Sequence, residues 1–244
     1  MVEIRVFSDG SGLATAAAER FIDLATMAVA KRGQFSVALS GGSTPRAMYT
    51  LLAAEENAAR IDWTKVHVFW GDERCVPPDH PGSSFRMARE TLLDHVPLPE
   101  GNLHRVRGEL DPEEAARAYA AELQSFFGTE WPCFDLVLLG MGSDGHTASL
   151  FPGSPALDER RRSVVAVTAH YEDRPAQRVS LTAPAINTAR QIIFLVAGAS
   201  KAGIVSAVLE GPPECYPAQL IQPAAGQLAW MMDAPAASLL QGGG

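Results

Sequence analysis

The sequence has few cysteines and no long apolar run. Cys75, Cys133 and Cys215 are an odd number, and no two of them form a C-x-x-C pair. This usage favours free thiols in a reducing compartment over a disulfide framework. No stretch approaches the roughly 18 to 20 consecutive apolar residues of a membrane span, and the opening MVEIRVFSDG lacks the apolar core of a signal peptide. We therefore expect a cytoplasmic protein that does not associate with membranes.

Positive charge is also in short supply. The 244 residues include 20 Lys and Arg against 28 Asp and Glu, a formal net charge of -8. A nucleic-acid-binding protein usually presents a basic field or patch, so this balance argues against nucleic acid as a partner. Any anionic ligand must be bound by a local group of donors, and nothing in the sequence points to an obligate protein partner.

Hydrophobic residues make up 47% of the chain and charged residues 20%, which is ordinary for a globular protein. Repeats, low-complexity tracts and convincing linkers are absent, so the sequence predicts one domain over residues 1–244. Helical spacing of apolar residues predicts a helix over 13–31. Capping signals add helices at STPRAMYTLLA, SFRMARETLL and DPEEAARAYAAELQSFF.

Short apolar segments alternate with these helices. They predict strands at FSVALS, at the start of VHVFWGDE, and at DLVLLG, SVVAVT, RVSLTA and QIIFLVAG. Strands of this kind that alternate with helices are typical of a mostly parallel sheet covered by helices on both faces. The predicted fold class is α/β, with a Rossmann-like sheet.

Gly140, Gly142 and Gly145 have the G-x-G-x-x-G spacing of a dinucleotide site and follow the apolar segment DLVLL. The fingerprint also requires a crossover helix that begins at the third glycine and an acid after the next strand. Pro152 stops such a helix after about two turns, although Glu172 does follow the next predicted strand. The context disfavours a dinucleotide.

The same glycine loop contains Asp144 and His146. Histidine is the side chain best suited to proton transfer near neutral pH, and a flanking carboxylate can hold its tautomer and stabilise its cation. Glycines let this loop approach a ligand closely, so His146 is a candidate catalytic base. The other histidines receive no role: His67, His80, His95, His104 and His170.

A second loop, LSGGSTP, lies between a predicted strand and a predicted helix. Its glycines let backbone N–H groups converge, its hydroxyls add donors, and the helix N-terminus favours an anion. The loop lacks the G-K-[ST] ending of a nucleotide-binding P-loop. It is either a phosphate-binding loop or a capped turn. Its candidate binding residues are Ser40, Gly41, Gly42, Ser43 and Thr44.

A third loop begins with Asp72, Glu73 and Arg74, directly after the strand in VHVFW. Arg74 can bind phosphate through two N–H groups or pair with its acidic neighbours. Cys75 has no evident base partner, so we assign it to packing.

Near the end of the chain, GASKA places Ser200 and Lys201 where a strand meets a helix. Ser200 is expected to cap the helix. Lys201 in the first helical turn opposes the helix dipole unless it serves a bound anion.

Taken together, these segments closely resemble the 6-phosphogluconolactonases of the pentose phosphate pathway. The matching stretches occur in family order and cover nearly the whole chain. They are LSGGSTP, GDERCVP with SSFRMARETLL, LGMGSDGHTASLFPGSPAL, RVSLTAPAINTAR with FLVAGASKA, and YPAQLIQPAAGQLAWMMD.

The resemblance implies hydrolysis of 6-phospho-D-glucono-1,5-lactone without a metal or organic cofactor, on a fold shared with glucosamine-6-phosphate deaminases. His146 is then the base that activates water, and Asp144 is its partner or shapes the loop. The substrate phosphate would lie on the LSGGSTP loop. The remaining expected substrate contacts are Asp72, Arg74, Gly142, Arg178 and Lys201.

The sequence departs from the family pattern at one position, and two alternative functions are open at this point. The family commonly has Ser-Asn where this chain has Ser83 and Ser84, which leaves a polar contact at Ser84 in doubt. A deaminase-like isomerase would continue its DGH with an apolar pair and NEP, whereas this chain continues with TASLFPG, and its best carboxylate pair is Asp72 with Glu73. A non-catalytic sugar-phosphate-binding protein would not need His146.

Overall fold

The computed structural model describes residues 2–170 and 174–241. Glu172, the acid considered for a dinucleotide site, lies outside the described residues. The strands are β1 (Val2–Phe7), β2 (Phe35–Leu39), β3 (Val66–Trp70), β4 (Asp72–Arg74), β5 (Leu136–Leu139), β6 (Val164–Thr168), β7 (Gln177–Leu181), β8 (Gln191–Val196) and β9 (Gln227–Asp233). The α-helices are α1 (Gly10–Arg32), α2 (Ser43–Ala53), α3 (Glu55–Ala58), α4 (Ser84–Thr91), α5 (Pro112–Phe127), α6 (Ala183–Asn187), α7 (Ala202–Glu210) and α8 (Ala234–Ala237).

Six strands form a parallel sheet in the order β1-β9-β8-β5-β2-β3. The inner strands β2, β5 and β8 are buried along their whole length. Buried, apolar, parallel strands with helices between them are the pattern expected of an α/β sheet. The predicted fold class is confirmed.

The sheet changes direction at β2 and β5. From β2 the chain moves outward to β3, and from β5 it moves the other way through β8 to β9. The loop after β2 and the loop after β5 therefore lead away from each other. This divergence opens a crevice at the carboxyl ends of the two strands, which is where open α/β sheets bind ligands. The loops after β2 and β5 carry LSGGSTP and the DGH sequence, so the topology brings these two motifs together.

Three strands form a separate antiparallel sheet in the order β4-β7-β6. The sequence predicted β6 and β7 as part of one mostly parallel sheet, and predicted residues 72–74 as a loop; both details were wrong. Residues 169–176 form too short a connection for a parallel crossover, which needs a dozen residues or more, so β6 and β7 must pair antiparallel.

The predicted helices are present, with α1 extending from a cap at Asp9 to the left-handed Gly33. Ser200 does not cap α7. It lies in a 3-10 turn that precedes the helix and follows Gly198, which has a φ of 97°. Across the described residues, the structure contains no helix with the length and apolar character needed to span a membrane.

Candidate active site

A cavity of about 220 Å³ lies at the carboxyl ends of the central strands. The loops after β2, β5 and β8 meet there with β4 and β7. The lining includes Ser40, Gly41, Gly42, Ser43, Thr44, Asp72, Arg74, Gly142, His146, Arg178 and Lys201. Thus every candidate site residue except Asp144 lines one cavity, and Asp144 contacts His146.

The loop after β2 presents an uncapped helix end to this cavity. Gly42 precedes α2 with a φ of 112°, and no side chain accepts a hydrogen bond from the first turn of the helix. The hydroxyl of buried Tyr49 holds the loop by bonding to both backbone groups of Ser40, at 3.1 and 2.9 Å. The capped-turn alternative is therefore wrong, and the helix end keeps its favourable potential for an anion.

Gly41 is required by a close approach between this loop and α4. A Cβ at Gly41 would lie 2.5 Å from the Oγ of Ser84. The Ser84 hydroxyl is buried, lines the cavity and has no hydrogen-bond partner among the described residues. A buried hydroxyl is rarely left unpaired, so this oxygen is suited to a ligand.

His146 and Asp144 form a short hydrogen bond in the loop after β5. Nδ1 of His146 lies 2.6 Å from Oδ1 of Asp144, which also accepts the backbone N–H of His146 at 3.1 Å. Since the carboxylate oxygen is the acceptor, Nδ1 carries the proton. Nε2 is then the nitrogen with the lone pair, as a base requires.

The surroundings of His146 keep it neutral. Its side chain is 13% exposed and its ring stacks on Phe151, with centroids 4.2 Å apart. Burial lowers the pKa of His146 below its ordinary value, although Asp144 opposes the shift. The imidazole is therefore in its proton-accepting form at neutral pH.

Because Gly142 has no side chain, the His146 ring can pack directly against its backbone. A Cβ at Gly142 would overlap Nδ1 of His146 and would lie 2.6 Å from Oδ1 of Asp144. The N–H groups of Gly142 and Gly145 are already bonded to His146 O and Gly142 O. These two backbone groups are consequently committed to the loop rather than to a ligand.

The segment after His146 is held against the second sheet. Thr147 donates to the carbonyl of Gly140 at 2.9 Å, and Ser149 donates to Oδ2 of Asp72 at 2.6 Å. Between them Ala148 lines the cavity with a φ of 48°, a conformation that costs energy for any residue except glycine. Asp72 thereby fixes the loop as well as lining the cavity.

The carboxylate of Glu73 accepts hydrogen bonds from groups at and near the N-terminus of α4. The donors are the backbone N–H groups of Arg74, Ser84 and Phe85, at 2.7 to 2.8 Å, and the Ser83 hydroxyl at 3.0 Å. Burial raises the pKa of Glu73, and these four donors oppose the shift. With both oxygens occupied, Glu73 cannot pair with Asp72 as an isomerase base.

Two arginines carry buried donors without partners among the described residues. They are Nε of Arg74, and Nε with Nη2 of Arg178. Arg74 also donates from Nη1 to Gly82 O at 2.7 Å, which anchors its guanidinium at the cavity. Arg178 is 3% exposed and lies over the Phe151 ring at 5.2 Å. Because leaving buried donors unpaired is costly, these groups indicate an anionic ligand in the cavity.

Sequence reasoning missed Arg174, which lines the same cavity. Arg174 comes shortly before β7, the strand that carries Arg178, and the closeness of the two basic residues in the sequence was the available signal. Cys75 is half-buried, and burial with nearby carboxylates raises the pKa of its thiol to about 11, as expected for a packing residue. No cluster of metal-binding side chains occurs within residues 2–170 and 174–241.

The cavity is thus a basic site in an acidic protein. Its lining contains Arg74, Arg174, Arg178 and Lys201 against Asp72, and the whole chain has a net charge of -8. A neutral imidazole, an open helix N-terminus and unpaired guanidinium donors are together suited to proton transfer on a phosphorylated substrate.

Comparison with known proteins agrees with this class of site. The family described as glucosamine-6-phosphate isomerases/6-phosphogluconolactonase matches residues 8–230, and the chain belongs to this family. A 6-phosphogluconolactonase of Synechocystis is 46% identical over 88% of this chain and 89% of its own length. The human 6-phosphogluconolactonase is 41% identical over 97% of this chain and 93% of its own.

Solved structures give the same result. The 6-phosphogluconolactonase from Trypanosoma brucei superposes with a TM-score of 0.88 at 31% identity, covering 99% of each chain. A glucosamine-6-phosphate deaminase superposes with a TM-score of 0.83 at 21% identity, covering 98% of this chain and 100% of the other. At this level of identity, the similarity to the deaminase shows a shared fold and nothing more.

Proposed function

We propose that this protein hydrolyses 6-phospho-D-glucono-1,5-lactone to 6-phospho-D-gluconate, the second step of the oxidative pentose phosphate pathway. The observation that carries the proposal is the neutral His146, held through Nδ1 by Asp144 in a cavity with unpaired basic donors. The family and its curated relatives support the substrate.

In the proposed reaction, Nε2 of His146 removes a proton from water as the water oxygen attacks the lactone carbonyl. The carbonyl oxygen becomes an oxyanion in the tetrahedral intermediate. When the intermediate collapses, the bond to the ring oxygen breaks, and the imidazolium returns its proton to that oxygen. The products are a free hydroxyl and a carboxylic acid that ionises. Asp144 stabilises the imidazolium that forms between these steps.

We assign the substrate phosphate to the N-terminus of α2 with Arg74 and Lys201. Arg74 Nη1 lies 3.9 Å from the position of a Cβ on Gly41, so its guanidinium borders this loop. Binding the non-reacting phosphate there orients the carbonyl toward the activated water.

Arg178 is better placed for the oxyanion. Arg178 and His146 both line the cavity and both pack against the Phe151 ring, and Arg178 has buried N–H groups without partners among the described residues. The N–H groups of Gly142 and Gly145 are bonded within the loop, so we assign the oxyanion to the guanidinium of Arg178. Donors of this kind stabilise negative charge that develops in the transition state.

A deaminase-like isomerase is the alternative function on this scaffold. Its chemistry needs a carboxylate that moves protons on carbon, and Glu73 is committed to four hydrogen bonds at the start of α4. Asp72 is held by Ser149. With Glu73 committed, Asp72 has no second carboxylate beside it in the described lining of the cavity, which favours hydrolysis over isomerisation. A non-catalytic binding protein would not require the His146–Asp144 pair.

The test uses lactone generated freshly, so that spontaneous opening can be subtracted. We expect the purified protein to accelerate hydrolysis of the phosphorylated lactone, to use the unphosphorylated lactone poorly, and to release no ammonia from glucosamine 6-phosphate. A rate equal to spontaneous opening would refute the enzyme proposal. Equal use of both lactones would refute the phosphate site, and ammonia release would favour the deaminase.

We also propose a cytoplasmic location. The three cysteines are free thiols in the structure, which is compatible with a reducing compartment. The acidic net charge disfavours nucleic acid and anionic membrane surfaces as partners.

A further inference from the structure

The outer edge of β1 is an exposed apolar strand edge. β1 is the first strand of the six-stranded sheet and, among the described residues, pairs with β9 alone. Val2, Ile4 and Val6 are 52%, 49% and 46% exposed, and only Met27 and Leu239 join them as large exposed apolar side chains in the described ranges. An unpaired strand edge presents a row of free N–H and C=O groups that can pair with another strand.

The apolar surface continues beyond the strand. Val2, Ile4 and Val6 alternate with charged neighbours, so they share one face of the sheet. On that face Val2 and Ile4 form one wall of a groove with Leu209 of α7 and Trp230 of β9. An exposed apolar edge that continues into a groove is a candidate interaction surface.

The charged residues of β1 indicate which partner would pair with this edge. Glu3 and Arg5 lie on the opposite face, about half exposed, with their charged groups 3.8 Å apart. That separation exceeds a hydrogen bond, so the pair within one chain is weak. The two residues are placed symmetrically about Ile4, and a strand with this arrangement is complementary to a copy of itself.

We infer that β1 pairs antiparallel with β1 of a second copy, about a two-fold axis at Ile4. In this register Glu3 faces Arg5 of the second copy, and Arg5 faces its Glu3. On the other face Val2 meets Val6 of the copy, and the two Ile4 side chains meet. Two six-stranded sheets then join into one, through an interface that closes on itself.

The other registers that keep the apolar face continuous are unfavourable. A two-fold axis at Glu3 sets two carboxylates opposite each other, and an axis at Arg5 sets two guanidinium groups opposite each other. Like charges at directly opposed positions destabilise a strand pair. The charge pattern of β1 therefore favours the register centred on Ile4 over these two.

Pairing at this edge leaves the cavity open. β9 separates β1 from β8, and the nearest loop with a site residue is the one after β8 that carries Lys201. Dimer formation is therefore independent of the proposed lactonase activity. Variants on β1 are expected to retain that activity.

Sedimentation equilibrium tests the pairing. The wild type is expected to form a dimer of twice the 26.0 kDa chain mass. Glu3→Arg and Arg5→Glu each turn two attractive pairs into two repulsive ones, and each should weaken association by about tenfold or more. The double variant should recover the dimer, and an equimolar mixture of the two single variants should form a heterodimer. Glu130→Arg, an exposed charge reversal away from β1, is the control.

A wild type that stays monomeric across the accessible concentration range would overturn the inference, even if a strand of another protein binds the edge. A dimer that neither single variant weakens would overturn it as well, because the interface would then lie elsewhere. Circular dichroism and lactonase assays on the same samples show that each variant is folded. A loss of activity without a change in mass concerns the proposed function and not the dimer.

Discussion

At the scale of single residues, the site depends on how little room the His146 ring has. Asp144 holds one edge of the ring at 2.6 Å, Phe151 covers a face, and Gly142 leaves the remaining space. The ring is therefore fixed before any substrate arrives. Fixed orientation of a base toward the reacting water contributes much of its catalytic effect.

Gly142→Ala is predicted to lower kcat by roughly a hundredfold, since a displacement of about 1 Å can cost that much. The added Cβ overlaps His146 Nδ1, so the ring must move away from Asp144. Steady-state kinetics with fresh phosphorylated lactone measures the effect. Gly101→Ala is the matched control, because a Cβ there meets nothing within 4 Å. A Gly142→Ala enzyme with the wild-type kcat would show that the ring position is not restrictive.

The pH profile is predicted to follow His146. Because burial lowers the pKa of His146, the base stays neutral until the pH falls below the ordinary histidine range near 6.5. The acidic limb of kcat/KM should therefore lie below that value. Asp144→Asn removes the charge that favours the imidazolium, so the limb should move to still lower pH while the plateau falls. An acidic limb that Asp144→Asn moves upward would contradict this assignment.

At the scale of elements, Glu73 joins β4 to the start of α4. One carboxylate satisfies three backbone N–H groups and the Ser83 hydroxyl, and so it places Arg74 and Ser84 at the cavity. The sequence singled out this acid as a possible catalytic group. Its structural role is to bind the N-terminus of α4, and this is visible only when β4 and α4 are packed together.

Glu73→Gln is predicted to lower the free energy of unfolding by about 2 to 4 kcal/mol, because an amide nitrogen cannot accept and buried donors lose their partner. Urea denaturation measures the change. Glu90→Gln is the control: its ion pair with Arg86 is exposed, and its loss should cost about 0.5 kcal/mol or less. Equal effects of the two substitutions would mean that the α4 contact is not strong.

The sequence predicted the helices α1, α2, α4 and α5 and the strands β2, β5 and β8 well because their signals are local. Asp111 caps α5 as its sequence indicates, and β2, β5 and β8 are apolar throughout. Strand β9 was missed because its segment QLAWMMD is rich in residues without β-branching. Its strand geometry comes from pairing with β8 and β1, which no local pattern reveals.

At the scale of the whole molecule, the candidate site is assembled by topology. Residues from the loops after β2, β5 and β8 converge because these strands are neighbours in one parallel sheet. The motifs were visible separately in the sequence, and the resemblance to a family connected them. The buried donors of Arg178 without partners among the described residues were not predictable, since burial and pairing are properties of the packed structure. That residues 1–244 form a single domain stays a prediction, which the shared apolar core supports.

The most direct test of the central claim is the rate at which His146→Gln opens freshly generated 6-phosphogluconolactone, compared with the wild type. Glutamine keeps a polar side chain of similar size but cannot accept the proton of water as imidazole does. We expect kcat to fall by roughly 10² to 10⁴, with KM little changed, because the phosphate contacts remain. A His146→Gln enzyme that turns over at the wild-type rate would contradict the assignment of His146 as the base.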